Sequence, residues 1–227
     1  MATYYEVHPQ NPQERTIRQV VQDLKNGAVV LYPTDTVYAI GCDLNIKSAV
    51  ERVREIKQLS NDKPLTFLCS SLSNIANYAI VNDKAYRTIK RLIPGSFTFI
   101  LPATKLVPKL AMSPKRKTTG IRVPNNKVCL SMIETLGNPI ISTSAHITSD
   151  EEGQAPVTRE MDGSFGKAEL FDSLDNFVDV IVDDTSDPGY QVSTILDFTQ
   201  TEPVLIRKGK GWEELTELFD EDELIEY

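Results

Sequence analysis

Apolar residues recur along this chain with two periods, and the switching between them predicts the order of elements. Ile17, Val20, Val21 and Leu24 stand at i, i+3, i+4 and i+7, the spacing of one helical face. Asn11-Pro12 reads as an N-cap with proline at the first helical position, and Gly27 as the stop. The helical period returns over 48–57 (Ala49, Val50, Val53, Ile56) and predicts further helices over 83–93 and 128–137. Pro94-Gly95 breaks the first of these two. Short β-branched and aromatic runs predict strands at 28–32 (AVVLY), 65–69 (LTFLC), 96–101 (SFTFIL), 120–124 (GIRVP) and 139–145 (PIISTSA). Three more are expected at 177–183, 191–198 and 203–209.

Strands alternating with helices predict an α/β fold, a twisted mixed and mostly parallel sheet with flanking helices. A length of 227 residues and 41% hydrophobic content suit one domain, taken as 1–211, followed by an acidic C-terminal tail over 212–227. The loop 149–156 (SDEEGQAP) reads as a lid or an excursion from the fold. There is no charged-then-apolar start and no apolar run of membrane-spanning length, so a cytoplasmic protein off the membrane is expected. The three cysteines, Cys42, Cys69 and Cys129, are odd in number and scattered; with only His8 and His146 besides, no metal-ligand spacing arises. They read as small buried hydrophobes, and no protein-bound metal is expected.

The net charge of −8 conceals a segregation. Eight acids and no base follow from Glu213 onward, and without them acids and bases balance at 24 each. From Lys84 to Ile133 there are eleven Lys or Arg residues and no acid. Such a span suits a positive surface for an anion such as phosphate, or else a solvated face whose acids come from elsewhere in the fold. The tail has a loose apolar stripe (Trp212, Leu215, Leu218, Phe219, Ile225), which suits a solvated helix docked by that stripe; its opposite charge would also let it screen the basic surface from nucleic acid.

Candidate chemistry sits at strand ends, where α/β proteins bind ligands. Thr34, Asp35 and Thr36 stand between two apolar runs in AVVLYPTDTVYAIGCD, where they either cap the turn after Pro33 or line a small-molecule pocket. RVP (122–124) and STS (142–144) are the other polar insertions. Neither a G-x-G-x-x-G after the first strand nor a G-x-x-x-x-G-K-[ST] occurs, which excludes a Rossmann dinucleotide site and a P-loop. Ser144 lacks a G-x-S-x-G context, which weakens a hydrolase reading.

YPTDTVYAIGC (32–42) resembles the PT[ED]TVYGLG signature of the YrdC-like family, the threonylcarbamoyl-AMP synthases. REIKQLSNDKPL (54–65), PGSFTFIL (94–101), TTGIRVP (118–124), ISTSAHIT (141–148), VSTILDF (192–198) and LIRKGKG (205–211) resemble further blocks of that family in the same order. The opening YEVHPQNPQERTI (5–17) is most similar to the YciO branch. The resemblance implies a YrdC-like fold around a deep basic cleft. It implies binding of ATP with Mg2+ as a substrate complex, of threonine and of bicarbonate, and adenylyl transfer serving tRNA modification. Thr34, Thr36, Arg122, Ser142 and Ser193 would hold the amino acid. Lys57, Lys63, Thr118, Ser144 and Arg207 would face the nucleotide, with Lys57 and Ser144 as catalytic candidates.

Four positions depart from the family pattern. K-x-R is Lys57-Gln58-Leu59, S-A-N is Ser144-Ala145-His146, Lys63 stands for an asparagine, and Leu68 for a histidine. His146 could act as a general base or accept one buried hydrogen bond. Two further functions remain open: a double-stranded RNA or tRNA-binding module without catalysis, and an ATP hydrolase or amino-acid-binding regulator.

Overall fold

The computed structural model describes every residue except 60–63, 146–165, 201, 217–224 and 227, with 216 and 225–226 described by backbone alone. The strands are β1 (Thr3–Glu6), β2 (Val30–Tyr32), β3 (Ala39–Asp43), β4 (Thr66–Leu68), β5 (Phe97–Pro102), β6 (Thr118–Arg122), β7 (Ile140–Ser144), β8 (Val180–Asp183), β9 (Thr194–Asp197), β10 (Val204–Arg207) and β11 (Ile225–Glu226). The helices are α1 (Glu14–Lys25), α2 (Lys47–Ile56), α3 (Leu72–Tyr78), α4 (Asp83–Leu92), α5 (Lys127–Leu136), α6 (Lys167–Leu174) and α7 (Trp212–Thr216).

All described strands join one sheet in the order β1-β8-β2-β3-β7-β4-β6-β5-β9-β10-β11. It is mixed, as expected, with five parallel and five antiparallel pairings. The helix expected from Asn11-Pro12 begins instead at Glu14, with Gln13 as a cap whose side chain makes no capping bond. The reason lies upstream: His8 Nδ1 accepts from the backbone of Gln10 and Asn11, and Gln13 Oε1 accepts from His8 N, so a separate turn uses these residues. Gly27 ends the helix as read, with a φ of +94° that favours glycine.

Two apolar layers flank the sheet unequally. One face is covered throughout: α2, α3, α4 and α6 bring Val53, Ile75, Ile89 and Leu170 against Ile40, Phe67, Phe99, Ile121 and Leu196. The described residues cover the other face only in part. Helices α1 and α5 pack on each other and bury Val20, Leu24, Met132 and Ile133 against Val30, Tyr32, Leu68, Ile140 and Val180. Beyond them, the positions that register across β7, β4 and β6 are Ser142, Thr66 and Gly120. Thr98, on the same face of β5, pairs with Ile195 of β9. No apolar stripe is offered there for a helix to bury, and a concave polar surface is left. In the acidic tail, Leu215 is fully buried, Trp212 packs on the main core and Ile225 pairs with Val204.

Gly41 has no room for a side chain: a Cβ would stand 2.5 Å from the Ile141 carbonyl oxygen and 2.9 Å from the Tyr32 ring. Gly41→Ala should lower unfolding free energy by about 1–3 kcal/mol or more, measured as a fall in the urea midpoint at constant slope.

Candidate functional site

The uncovered part of the sheet holds a cavity of about 170 Å³. Its wall is built from Thr34, Thr36, Val37 and Ala39 after β2; Thr66, Leu68, Thr98 and Arg122 from the central strands; Ser142, Thr143 and Ser144 of β7; and Val192, Ser193, Ile195 and Arg207 at the far side. Seven of the residues marked from the sequence thus meet here: Thr34, Thr36, Arg122, Ser142, Ser144, Ser193 and Arg207. Lys57 and Thr118 do not stand on this wall. Lys63 and His146 lie outside the described residues, as does the 149–156 loop.

The PTDT turn is both a cap and a wall. Thr34 Oγ1 donates to the Val37 carbonyl at 2.7 Å and accepts from Thr36 N at 3.1 Å. Thr34 has one proton and Val37 takes it, so in the 3.0 Å contact between the two hydroxyls Thr36 is the donor. Both hydroxyl protons are committed inside the turn. Arg122 then fixes the turn to the sheet: its Nη1 donates to Thr36 Oγ1 at 2.8 Å and its Nη2 to Asp35 Oδ1 at 2.6 Å. Ser96 Oγ donates to the other Asp35 oxygen at 3.1 Å, and Lys210 Nζ donates to the Asp35 carbonyl at 2.5 Å. A Cβ on Gly189 would lie 1.6 Å from the Thr36 carbonyl oxygen, so the loop after β8 presses its backbone directly on the turn.

On the far side Arg207 donates from Nε and Nη2 to the Ser193 carbonyl at 3.0 and 2.8 Å, and from Nη2 to Ser193 Oγ at 3.2 Å. Burial, and then the positive charge of Arg122, hold its guanidinium pKa below the usual value. Thr98 and Ser193 hydroxyls share a 2.9 Å bond. Among the described residues no carboxylate stands on the wall. The arrangement therefore offers hydroxyls and two guanidiniums to a small anionic ligand, the means of aligning reactants and stabilising developing negative charge.

The acid-free span contributes less than its composition suggests. Of its eleven cations only Arg122 reaches the wall; the others lie on α4, in the loop 103–117 and at Lys127. Acids do come from elsewhere: Glu202 pairs with Lys84, and Asp197 with Arg116 at 3.4 Å. Sequence reasoning gave no role to Thr66 or Thr98, and it read Asp35 only with its turn, not as the partner of Arg122. Thr66 and Thr98 were legible, since each is the one hydroxyl facing away from the phenylalanines beside it. Lys57 follows α2 as its C-cap, and burial lowers its ammonium pKa to about 8. Leu59, in place of a second cation, packs against the main core.

Fold and site together define a mixed α/β domain with a polar cavity on the part of its sheet that the described helices leave open. The chain belongs to the Sua5/YciO/YrdC family, whose model, described as "Telomere recombination", matches residues 22–209. A Haemophilus influenzae protein is 41% identical over 211 residues, covering 93% of this chain and 97% of that one. The Enterobacter threonylcarbamoyl-AMP synthase is 30% identical over 175 residues, covering 70% and 92%. The crystal structure of Escherichia coli YciO superposes with a TM-score of 0.81 at 36% identity, covering 92% and 97% of the two chains. That of P. abyssi Sua5 complexed with L-threonine gives 0.83 at 26% identity, covering all of this chain and 63% of the other. Among the described residues, no helix is long and apolar enough to cross a membrane.

Two outcomes follow. Asp35→Ala leaves the buried Arg122 charge without its partner and should cost about 3–5 kcal/mol of stability, read by denaturant unfolding. The Lys57 ammonium should titrate near pH 8, observable by NMR of the ¹³C-dimethylated side chain. Its folded pKa lies below the unfolded value of about 10.4, so the unfolded chain holds more protons between them and stability rises with pH across that window. Lys57→Met should remove that slope.

Proposed function

We propose that this protein binds ATP, L-threonine and bicarbonate and makes threonylcarbamoyl-AMP, the reaction of the threonylcarbamoyl-AMP synthases to which it is related. The threonine amine and bicarbonate give a carbamate and water. A carbamate oxygen then attacks the α-phosphorus of ATP, the bond to the β-phosphate oxygen breaks, and pyrophosphate leaves. The carrying observation is the cavity wall, whose described residues set two guanidiniums among hydroxyls with no carboxylate, in a fold whose Sua5 relative holds L-threonine. At about 170 Å³ the cavity is below the ~300–1,000 Å³ that drug-sized ligands fill, so it matches an amino acid, and the nucleotide would lie across its mouth.

In this reading Thr34, Thr36, Arg122, Ser142 and Ser193 surround the amino acid, and Ser144 and Arg207 meet the phosphates, with Lys57 and Thr118 beyond the cavity wall; Lys63, outside the described residues, would also face the nucleotide. Arg122 reaches a substrate carboxylate only through the N–H groups that Asp35 and Thr36 leave over, which makes it an anchor of the turn as well as of the ligand. Magnesium arrives with the triphosphate; among the described residues no group of His, Cys, Asp and Glu could hold a metal ion. The product would serve tRNA threonylcarbamoylation in the cytoplasm.

The test is pyrophosphate release from ATP and magnesium, with threonine and bicarbonate present or withheld. Release that requires both is the expected result, and Arg207→Met should slow it by ~10²–10³-fold, the effect of losing one transition-state donor. Release indifferent to threonine and bicarbonate, or none at all, overturns the reading.

A further inference from the structure

Tyr32 ends β2 with no exposed surface, and its hydroxyl is the donor in a 2.7 Å bond to Ser142 Oγ. Ser142 stands on the cavity wall, and Tyr32 does not. A serine hydroxyl has one proton and two lone pairs, and left alone it rotates to suit whichever group approaches. With a lone pair already occupied by a phenol behind it, Ser142 keeps its own proton for the cavity. We propose that Tyr32 is a positioning residue that fixes Ser142 as a hydrogen-bond donor toward an anionic oxygen of the ligand. This rests on reading the cavity as the ligand site proposed above, but not on the ligand being threonine.

Three observations support it. Burial raises the Tyr32 pKa well above its ordinary value, so the phenol stays protonated and can only be replaced as a donor by mutation. Gly41, where any Cβ would strike the Tyr32 ring, reserves the space in which that ring lies. The PTDT hydroxyls are spent within their own turn, and the Thr98–Ser193 pair, already receiving a bond from Arg207, has one proton left for the cavity. Ser142 is thus a hydroxyl on this wall whose polarity a buried partner sets while its proton stays available to the cavity. Its donor sense suits a carboxylate, carbamate or phosphate oxygen and disfavours an ammonium.

The experiment is calorimetric titration of the full chain with L-threonine, sodium acetate and inorganic phosphate as separate probes. Wild type, Tyr32→Phe, Ser142→Ala and the double variant are compared, each first checked by thermal melting. Tyr32→Phe keeps the ring and should weaken binding of the anion about three- to tenfold, as should Ser142→Ala. The double variant should lose no more than either single one, a non-additivity that loss of packing would not produce. Wild-type binding of acetate or phosphate without L-threonine would overturn the threonine reading and leave this inference to stand on the anion that binds. Unchanged affinity in Tyr32→Phe, additive losses, or no anion binding by wild type would each overturn the inference itself.

Discussion

The ion pair between Arg122 and Asp35 is the constraint on which the rest of the site depends. The two side chains are only 7% and 10% exposed, and their nearest atoms are 2.6 Å apart. A guanidinium at the centre of a sheet cannot stay charged there without a counter-charge and acceptors, because desolvation alone costs several kcal/mol. Asp35 supplies the charge, Thr36 an acceptor, and the Gly95 carbonyl a longer contact at 3.4 Å. Because Ser96 and Lys210 also bond to Asp35, one turn residue joins the end of β6, the start of β5 and the segment after β10. The turn takes its shape from that convergence.

The same chemistry explains why the cavity exists. A helix covers a sheet only where it can bury an apolar stripe, and α1 and α5 find one in Val30, Tyr32, Ala39, Leu68 and Ile140. Past Leu68, the sheet presents Thr66, Thr98, Ser142 and Arg122. A helix laid over these would strand hydroxyls and a charge, each a penalty of about 1–3 kcal/mol or more. The polar strand positions keep the helices away. Gly120 deepens the hollow, since a Cβ there would approach Thr66 Oγ1 at 3.2 Å.

Much of this was legible in the chain. The 3.6-residue period located α1, α2, α4 and α5, and the β-branched runs located eight strands, because those elements bury one face or one short apolar stretch. β3 escaped notice because all five residues are buried, so no alternation marks it. β1 escaped for the opposite reason, as an edge strand mostly open to solvent, and α3 because it buries only Ile75. The PTDT turn stood out as polar groups between apolar runs. Its partner did not: 87 residues separate Asp35 from Arg122, and nothing in either neighbourhood names the other. Counting cations misled, since a basic stretch of sequence is divided by the fold between α4, an outer loop and a single buried arginine.

Charge across the cavity is unequal, and the inequality has a direction. Arg122 is neutralised from behind by Asp35, whereas the described partners of Arg207 are the uncharged oxygens of Ser193. Arg122 is buried, where a charge counts for more than it does in solvent, whereas Arg207 is exposed at the far rim. On the wall itself the uncompensated positive charge is that of Arg207 on the β9–β10 side, while behind the PTDT turn Lys210 adds a second cation at the Asp35 carbonyl. A ligand with one strongly and one weakly charged end meets two different environments and takes one orientation. Lys57 at the end of α2 stands off the cavity wall, and Leu59 close by packs against the core. In this chain the strands, more than the helix ends, set the electrostatic direction of the site.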